Sequence, residues 1–388
     1  MHGERALRPE ETFSRVEGLL PAFGITRVAR QTGLDRIGIP VWLALTPNAR
    51  SIVVAQGKGL TDADARTSAV MEALERAVAG APATPVHYAT SDDLAARGQP
   101  FLLLQSHLAL HAELPRQDER IAWFSGRDLL TGGRVFVPED AVVLDRSRLS
   151  ARYWQSSDGL ASGNTADEAI VHALYERIER DAQVLWQIGD HAGRAKTGVA
   201  RETYAHHPDI AALLGQLDAA GMRLRLFDMT SDIGVPCFTA FLAEDDLLTT
   251  GTARFVDVTY GAGCHPAPER AVLRALTEAV QSRITFIGGA RDDAFPAVYR
   301  RPLPEWTRRL MMDDAPQGNA RRAIFLGGLG ALLARLDALG LGPVVAIELG
   351  ARHLPFAVAK VLVPALENPE GRRATRFGVR ALAKALSA

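Results

Sequence analysis

The chain has 388 residues, enough for a sizeable core and for one large domain or two to three smaller ones. Lysine plus arginine number 44 against 45 acids, a net charge of −1, so no global field favours nucleic acid or an anionic membrane surface. A hydrophobic fraction of 47% is ordinary for a globular protein, and no stretch approaches the roughly 20 unbroken apolar residues of a membrane span.

The N-terminus, MHGERALRPEETFSRVEG, has no apolar core of a secretory signal and predicts a helix over about 11–19. Extended chain follows through GITRVARQTGLDRIGIPVWLALTP, where IPVWLAL and SIVVAQ read as two strands about the turn TPNAR. Thr61 as N-cap, Asp64 three residues on and Gly80 as C-cap predict a helix over about 62–79. Short strands and loops fill 83–155. A second long helix follows GLASGNT and runs to about Trp186; LRLFDMT, VPCFTAFLA and RFVDVTY read as strands; a third helix spans about Pro268 to Ile284. RRAIFLGGLGALLARLDALG reads as a helix pair or a helix and turn, PVVAIEL and FAVAKVLV as strands, and RRATRFGVRALAKALSA as a basic amphipathic helix. Strands and helices mix without strict βαβ alternation, so the fold class is α+β. Two cysteines, Cys237 and Cys264, cannot form a disulfide framework or a four-cysteine zinc site, and the reading is a cytoplasmic protein with reduced thiols.

The second helix raises a question of charge. Ile170, Val171, Leu174, Ile178, Ala182 and Leu185 make an apolar face, while Glu168, His172, Glu176 and Glu179 stack along one side at spacings of four, four and three. At ~6 Å and an effective dielectric of ~20, neighbouring acids repel by up to roughly 3 kcal/mol. A solvated stripe, with Glu168 closing a capping box on Thr165, is the simple account. The first helix argues against it, because Ser68, Glu72 and Glu75 share a face at the same spacings. Two such faces suggest the walls of one cleft. Oxygen ligands without histidine or cysteine sets point to Mg²⁺, which bridges protein carboxylates to phosphates.

The third helix carries Glu278 with Gln281 where the others have a second glutamate. An amide can hydrogen-bond a phosphate or a base. Arg180, Arg274 and Arg283 supply cations for phosphate oxygens. QGKG, GLASGN and GAGCH read as glycine loops leading into the three helices, and Lys58 in the first is placed to meet a phosphate. A Walker A sequence is absent.

SAVMEALERA, SDGLASGNTADEAIVHALYERIERDA and GAGCHPAPERAVLRALTEAVQSRITFIGGARDD together resemble the YcaO family over roughly residues 50–365. The resemblance implies a YcaO-like α+β fold with mixed or antiparallel sheets and long helices converging on an ATP/Mg²⁺ cleft. It implies an enzyme that phosphorylates the oxygen of a peptide-backbone amide with ATP and Mg²⁺, after which a nucleophile gives an azoline, a thioamide or an amidine. Position by position, Ser68, Glu72, Glu75, Asn164, Glu168, Glu176, Glu179 and Arg180 match the family's nucleotide and magnesium residues. The five glutamates are the metal candidates, and Glu179 and Arg180 the catalytic ones. Gln281 falls where a nucleotide contact belongs; Arg283 is a looser match and Arg291 looser still.

GITRVARQTGLDRIGIPVWLALTPNARSIVVAQGKGL resembles the subgroup encoded with a TfuA partner, which is linked to thioamide formation, and Arg36 would there contact a phosphate or base. Azoline-forming members commonly end in a proline-rich tail that reaches the active site, whereas this chain has no proline after Pro369. It also lacks the zinc cysteines and peptide-docking domain of the usual azoline partner, so a separate protein would deliver substrate. The domain reading is an N-terminal segment over 1–50, a catalytic domain over 51–365 and a basic helix over 366–388. The partners are a peptide or protein substrate and a TfuA-like protein, without nucleic acid or membrane, and a homodimer is compatible with this. The functional reading is backbone thioamidation. The alternatives are azoline formation and a non-catalytic nucleotide-binding accessory subunit. Cys264 beside His265 reads as a structural thiol, His172 as a helix-packing histidine rather than a base, and Arg372, Arg373, Arg376, Arg380 and Lys384 as a solvated face rather than a dock for an acidic partner.

Overall fold

Glycines placed opposite helix backbones set the geometry of the centre. The computed structural model of the chain describes residues 5–289, 291–313, 325, 327–369 and 371–387. Its strands are β1 (Arg27–Arg30), β2 (Val41–Leu45), β3 (Val54–Lys58), β4 (Val86–Ala89), β5 (Ile121–Asp128), β6 (Arg134–Pro138), β7 (Leu160–Gly163), β8 (Gly198–Val199), β9 (Met222–Asp228), β10 (Cys237–Glu244), β11 (Val258–Cys264), β12 (Val345–Glu348) and β13 (Ala357–Leu362). Three antiparallel sheets result: β1-β2-β3, β11-β10-β9-β8, and β4-β5-β12-β13-β7 with β6 also paired to β5. The expected α+β class stands.

Three long helices, Asp62–Gly80, Ala166–Gln187 and Pro268–Gly288, follow β3, β7 and β11, each the edge strand of a different sheet. Thr61 and Thr165 cap the first two through the backbone N–H groups of Asp64 and Glu168. The Glu168 carboxylate accepts from the Asn164 backbone N–H rather than closing a box on Thr165.

The three glycine segments are not loops, as their composition suggested, but the ends of these strands. A Cβ on Gly57 would run into the backbone of Ala65 and Ala69. One on Gly163 would lie 2.7 Å from the Ala169 nitrogen, and those on Gly261 and Gly263 would strike the backbone of Ala279 and Ala271. Glycine is there because helix backbone lies directly on strand backbone.

The apolar faces then fix the layers. The first helix packs with Val345, Ile347, Val358 and Leu362 on one face of the β12–β13 region. The second fills the space between the other face, at Ala346, Ala359 and Val361, and the β10–β11 pair at Cys237, Phe241 and Ala262. The third covers the opposite side of β9 and β10, at Leu224, Leu226, Phe238 and Ala240. Cys237 and Cys264 sit buried opposite each other in the β10–β11 register.

Other expectations are corrected. The first helix is Pro9–Val16, followed by a 3₁₀ turn at Glu17–Leu19, with proline at its first turn. The proposed boundary near residue 50 falls inside one sheet, because Val41 pairs with Lys58 and Leu45 with Val54. In RRAIFLGGLGALLARLDALG the helix is Leu329–Ala338; residues 321–324 and 326 lie outside the described residues. The final helix is only Val379–Ser387.

The basic stripe at the end of the chain is not simply solvated. Arg373 is buried and donates to the carbonyls of Asn368 (2.8 Å) and Arg376 (3.2 Å). Arg380 is held by Asp181 at 2.9 Å and Asp232 at 2.6 Å. Asp181 lies on the back of the second long helix with no exposed surface, and a buried carboxylate needs a cation.

Gly261→Ala should lower unfolding stability by about 3 kcal/mol or more, since neither backbone can retreat. Gly215→Ala, at an open exposed position inside the helix Pro208–Ala219, should raise it by about 0.5–1 kcal/mol. Urea titrations of both variants check the pair. Arg380→Ala should cost about 3–5 kcal/mol by stranding Asp181, and adding Asp181→Asn should restore part of the loss in the same assay.

Candidate active site

The three helices converge on a cleft of about 460 Å³, within the size range of small-molecule sites. The first contributes Ser68, Met71, Glu72, Glu75 and Arg76; the second His172, Glu176, Glu179 and Arg180; the third Arg274, Thr277, Glu278 and Gln281. β3 adds Gln56 and Lys58, β7 adds Ser162, Asn164 follows it, and Arg5, Leu7, Pro9 and Thr12 form a further wall with Arg291. Ser162 Oγ donates to the Met71 carbonyl at 3.3 Å, and Gln281 Nε2 to the Gln56 carbonyl at 2.9 Å, so strands and helices are pinned across the cleft.

Formal charge is balanced in this lining. Arg5, Lys58, Arg76, Arg180, Arg274 and Arg291 face Asp64, Glu72, Glu75, Glu176, Glu179 and Glu278. The cleft is instead polarised. Burial pushes the Glu75 carboxyl up to about 8, with Glu72 and Glu176 adding to it. Burial also lifts Glu176 to about 7; Arg180 opposes this, and Asp158 and Glu179 reinforce it. Glu75 and Glu176 still reach solvent through the mouth but lie deep within it. Glu179, only 3% exposed, is likewise raised by burial against the pull of Arg180.

The opposite side is basic. His172 is driven well below the usual imidazole range by burial and by Arg274, Arg5 and Lys58, and is neutral at pH 7. Lys58 Nζ meets Glu278 Oε2 at 2.5 Å. Burial works to raise Glu278, but Lys58 and Arg180 hold it below the usual range.

Arg180 sits among three acids without a tight bond to any. Its guanidinium is 3.6 Å from Glu176 and 3.7 Å from both Glu179 and Asp158. Burial disfavours its charge, yet Glu179, Glu176 and Asp158 together hold it protonated. Behind them Lys360 Nζ donates to the Ser156 carbonyl at 2.6 Å, and burial lowers it to about 8.

Of the residues singled out by sequence, Lys58, Ser68, Glu72, Glu75, Asn164, Glu176, Glu179, Arg180 and Gln281 line this cleft. Glu168 stands behind it, bonded to Arg5 at 3.1 Å and to Asn164 Nδ2 at 3.2 Å. Arg36 and Arg283 are elsewhere. Arg36 donates to the Ala220 carbonyl at 2.8 Å and faces Glu244, while Arg283 bridges Glu244 at 2.5 Å and Asp35 at 3.8 Å. Burial raises Asp35, and both arginines serve to neutralise these acids.

Sequence reasoning left out Arg5, Arg76, Asp158 and Lys360. It quoted Glu278 without assigning it, although its spacing from Gln281 repeats that of Glu72 from Glu75 and Glu176 from Glu179.

The donor set is all oxygen. Among the described residues no three His, Cys, Asp or Glu side chains converge closely enough to cage a metal unaided. An acidic side facing a basic one fits Mg²⁺ shared between carboxylates and phosphates, the usual mode of that ion. No described helix is long and apolar enough to cross a membrane.

A family model described as "YcaO cyclodehydratase, ATP- and Mg²⁺-binding" matches residues 56–367. An uncharacterized protein in the tfuA 3′ region of Rhizobium leguminosarum bv. trifolii is 37% identical over 98% of this chain and 92% of its own length. An uncharacterized protein of Methanothermobacter thermautotrophicus is 35% identical over 96% of this chain and 99% of its own. Among solved structures, YcaO from Methanopyrus kandleri bound with AMPPCP and Mg²⁺ superimposes with a TM-score of 0.72 at 25% identity, over 94% of this chain and 92% of that one. A heterocyclase in complex with substrate and cofactor gives a TM-score of 0.76 at 20% identity over 96% of this chain, which spans 54% of that longer one. The chain belongs to the YcaO family, and ATP and Mg²⁺ are its ligands.

Proposed function

We propose that the protein uses ATP and Mg²⁺ to phosphorylate the oxygen of a backbone amide in a peptide or protein, and that this oxygen is exchanged for sulfur with a TfuA-like partner. The observation that carries the thioamide reading is the relative in a tfuA region, similar along 98% of this chain.

The residues divide the work by side. Lys58, Arg5 and Arg274 offer charge to phosphates, and Lys58 is released as a phosphate takes the place of Glu278. Arg180, loosely shared among three acids, has donors to turn toward a transferring phosphoryl group. Mg²⁺ held by Glu72, Glu75, Glu176 and Glu179 would neutralise these acids and the phosphate oxygens together. Sulfide attacks the amide carbon, and the oxygen of the adduct accepts the terminal phosphoryl group. Loss of phosphate, with the proton on sulfur passing to a base, leaves C=S and ADP. His172, neutral and lining the cleft, is able to take that proton.

The description of the family model as a cyclodehydratase favours a second reading, azoline formation from a Cys, Ser or Thr of the substrate. Mass spectrometry of the product separates the two, because thioamidation replaces oxygen by sulfur while cyclodehydration removes one water. An accessory subunit would release no ADP in response to substrate.

Glu179→Gln should abolish ATP turnover and leave the circular dichroism spectrum unchanged, because the amide keeps the size of the buried side chain and loses its charge. ADP release at the parental rate, with partner and substrate present, would remove Glu179 from the machinery.

The raised carboxyls also set a pH dependence. In the unfolded chain Glu75 and Glu176 ionise near 4.5, but in the folded protein they keep their protons to about 8 and about 7. Between these values the unfolded state binds fewer protons, so stability of the ligand-free protein falls as pH rises from about 5 to 8. Melting temperatures across that window should show the decline, and Glu75→Gln should flatten it. A slope identical in wild type and variant would show that Glu75 is ionised throughout.

A further inference from the structure

The final helix, Val379–Ser387, has one side seated and the other bare. Ala381 is buried against Val184 and Leu185 of the second cleft helix. Arg380 grips Asp181 and Asp232, and the Glu367 carboxylate accepts the backbone N–H groups of Gly378 (2.7 Å) and Ala381 (2.9 Å). These bonds hold the helix firmly on the back of the element whose front carries Glu176, Glu179 and Arg180.

The outward side is apolar. Val379, Leu382 and Leu386 are 83%, 53% and 90% exposed, and their spacing of three and four puts them on one stripe. Phe377, 42% exposed, precedes it. Anchors at i, i+3 and i+7 are those of a helix that lies in a partner's groove. The surrounding charge has one sign: RRATRFGVRALAKALSA contains no acid, and Arg372, Arg376 and Lys384 are exposed along it.

We propose that this stripe is the seat of a partner protein that offers an apolar groove with an acidic rim. The inference rests on the partner reading above, in which the TfuA-like protein is the occupant. A second copy of this chain fits less well, because a twofold contact would bring two cationic rims together. A membrane surface fits less well too, because the helix presents a single exposed lysine, whereas interfacial helices carry many cations.

The test uses the full-length protein and the TfuA-like protein encoded in the same genome, titrated by calorimetry. Leu382→Glu/Leu386→Glu should weaken binding by at least about tenfold, as expected when central anchors are lost. Its melting temperature and its affinity for AMPPCP with Mg²⁺ should match wild type, since both side chains face solvent. Added salt should weaken the wild-type complex through the cationic rim. Equal affinity of variant and wild type overturns the seat and leaves the partner reading standing. No binding by wild type overturns both. Attachment of wild type but not variant to phosphatidylglycerol vesicles, or a concentration-dependent dimer lost in the variant, would also overturn the proposed occupant.

Discussion

A carboxylate taken out of water must find a cation or keep its proton, and the cleft offers Glu75 and Glu176 neither in full. The nearby guanidinium of Arg180 is already divided among three acids, and that of Arg76 is spent on Glu72 at 2.9 Å. The lining is neutral as a whole, so the acidic side is a matter of placement. Lys58, Arg5 and Arg274 stand across the cleft, where they depress His172 rather than relieve the glutamates. Separated charge of this kind is complementary to a metal–polyphosphate pair, with the cation toward one wall and the anions toward the other.

Holding that separation requires rigid walls, and the back of the second helix shows how it is achieved. Arg177, beside Glu176 in sequence, is fully buried and donates to the carbonyl of Glu367 at 2.9 Å. Asp181, beside Arg180, accepts the Glu367 backbone N–H at 2.9 Å and pairs with Arg380. The residues that face the ligand and those that anchor the helix therefore alternate along one turn, and the last part of the chain fastens the reactive face from behind.

Much of this was legible in the sequence. The helices announce themselves by capping residues and by a 3.6-residue apolar period, and the repeated spacing of acids on the first two gave the cleft. What failed was tertiary in origin. Glycine before a helix suggests a loop, but Gly57, Gly163 and Gly261 are there because another backbone approaches, which leaves no local trace. Arg36 and Arg283 looked like phosphate ligands because their partners, Asp35 and Glu244, are remote in sequence. Arg5 reaches Glu168 across 163 positions, and no periodicity encodes that contact. The basic ending read as a solvated face because the one acid that demands a buried cation, Asp181, lies on another helix.

The glycine contacts also bear on how such an enzyme can change. A library randomised at 57, 163, 261 and 263 should return glycine almost alone, since any side chain there would wedge a wall away from its sheet. Backbone shape around the cleft is thus closed to gradual variation. New substrate preference in this scaffold would have to arise from inward side chains such as Met71, His172 and Thr277, whose replacement alters the shape of the space without moving the helices that bound it.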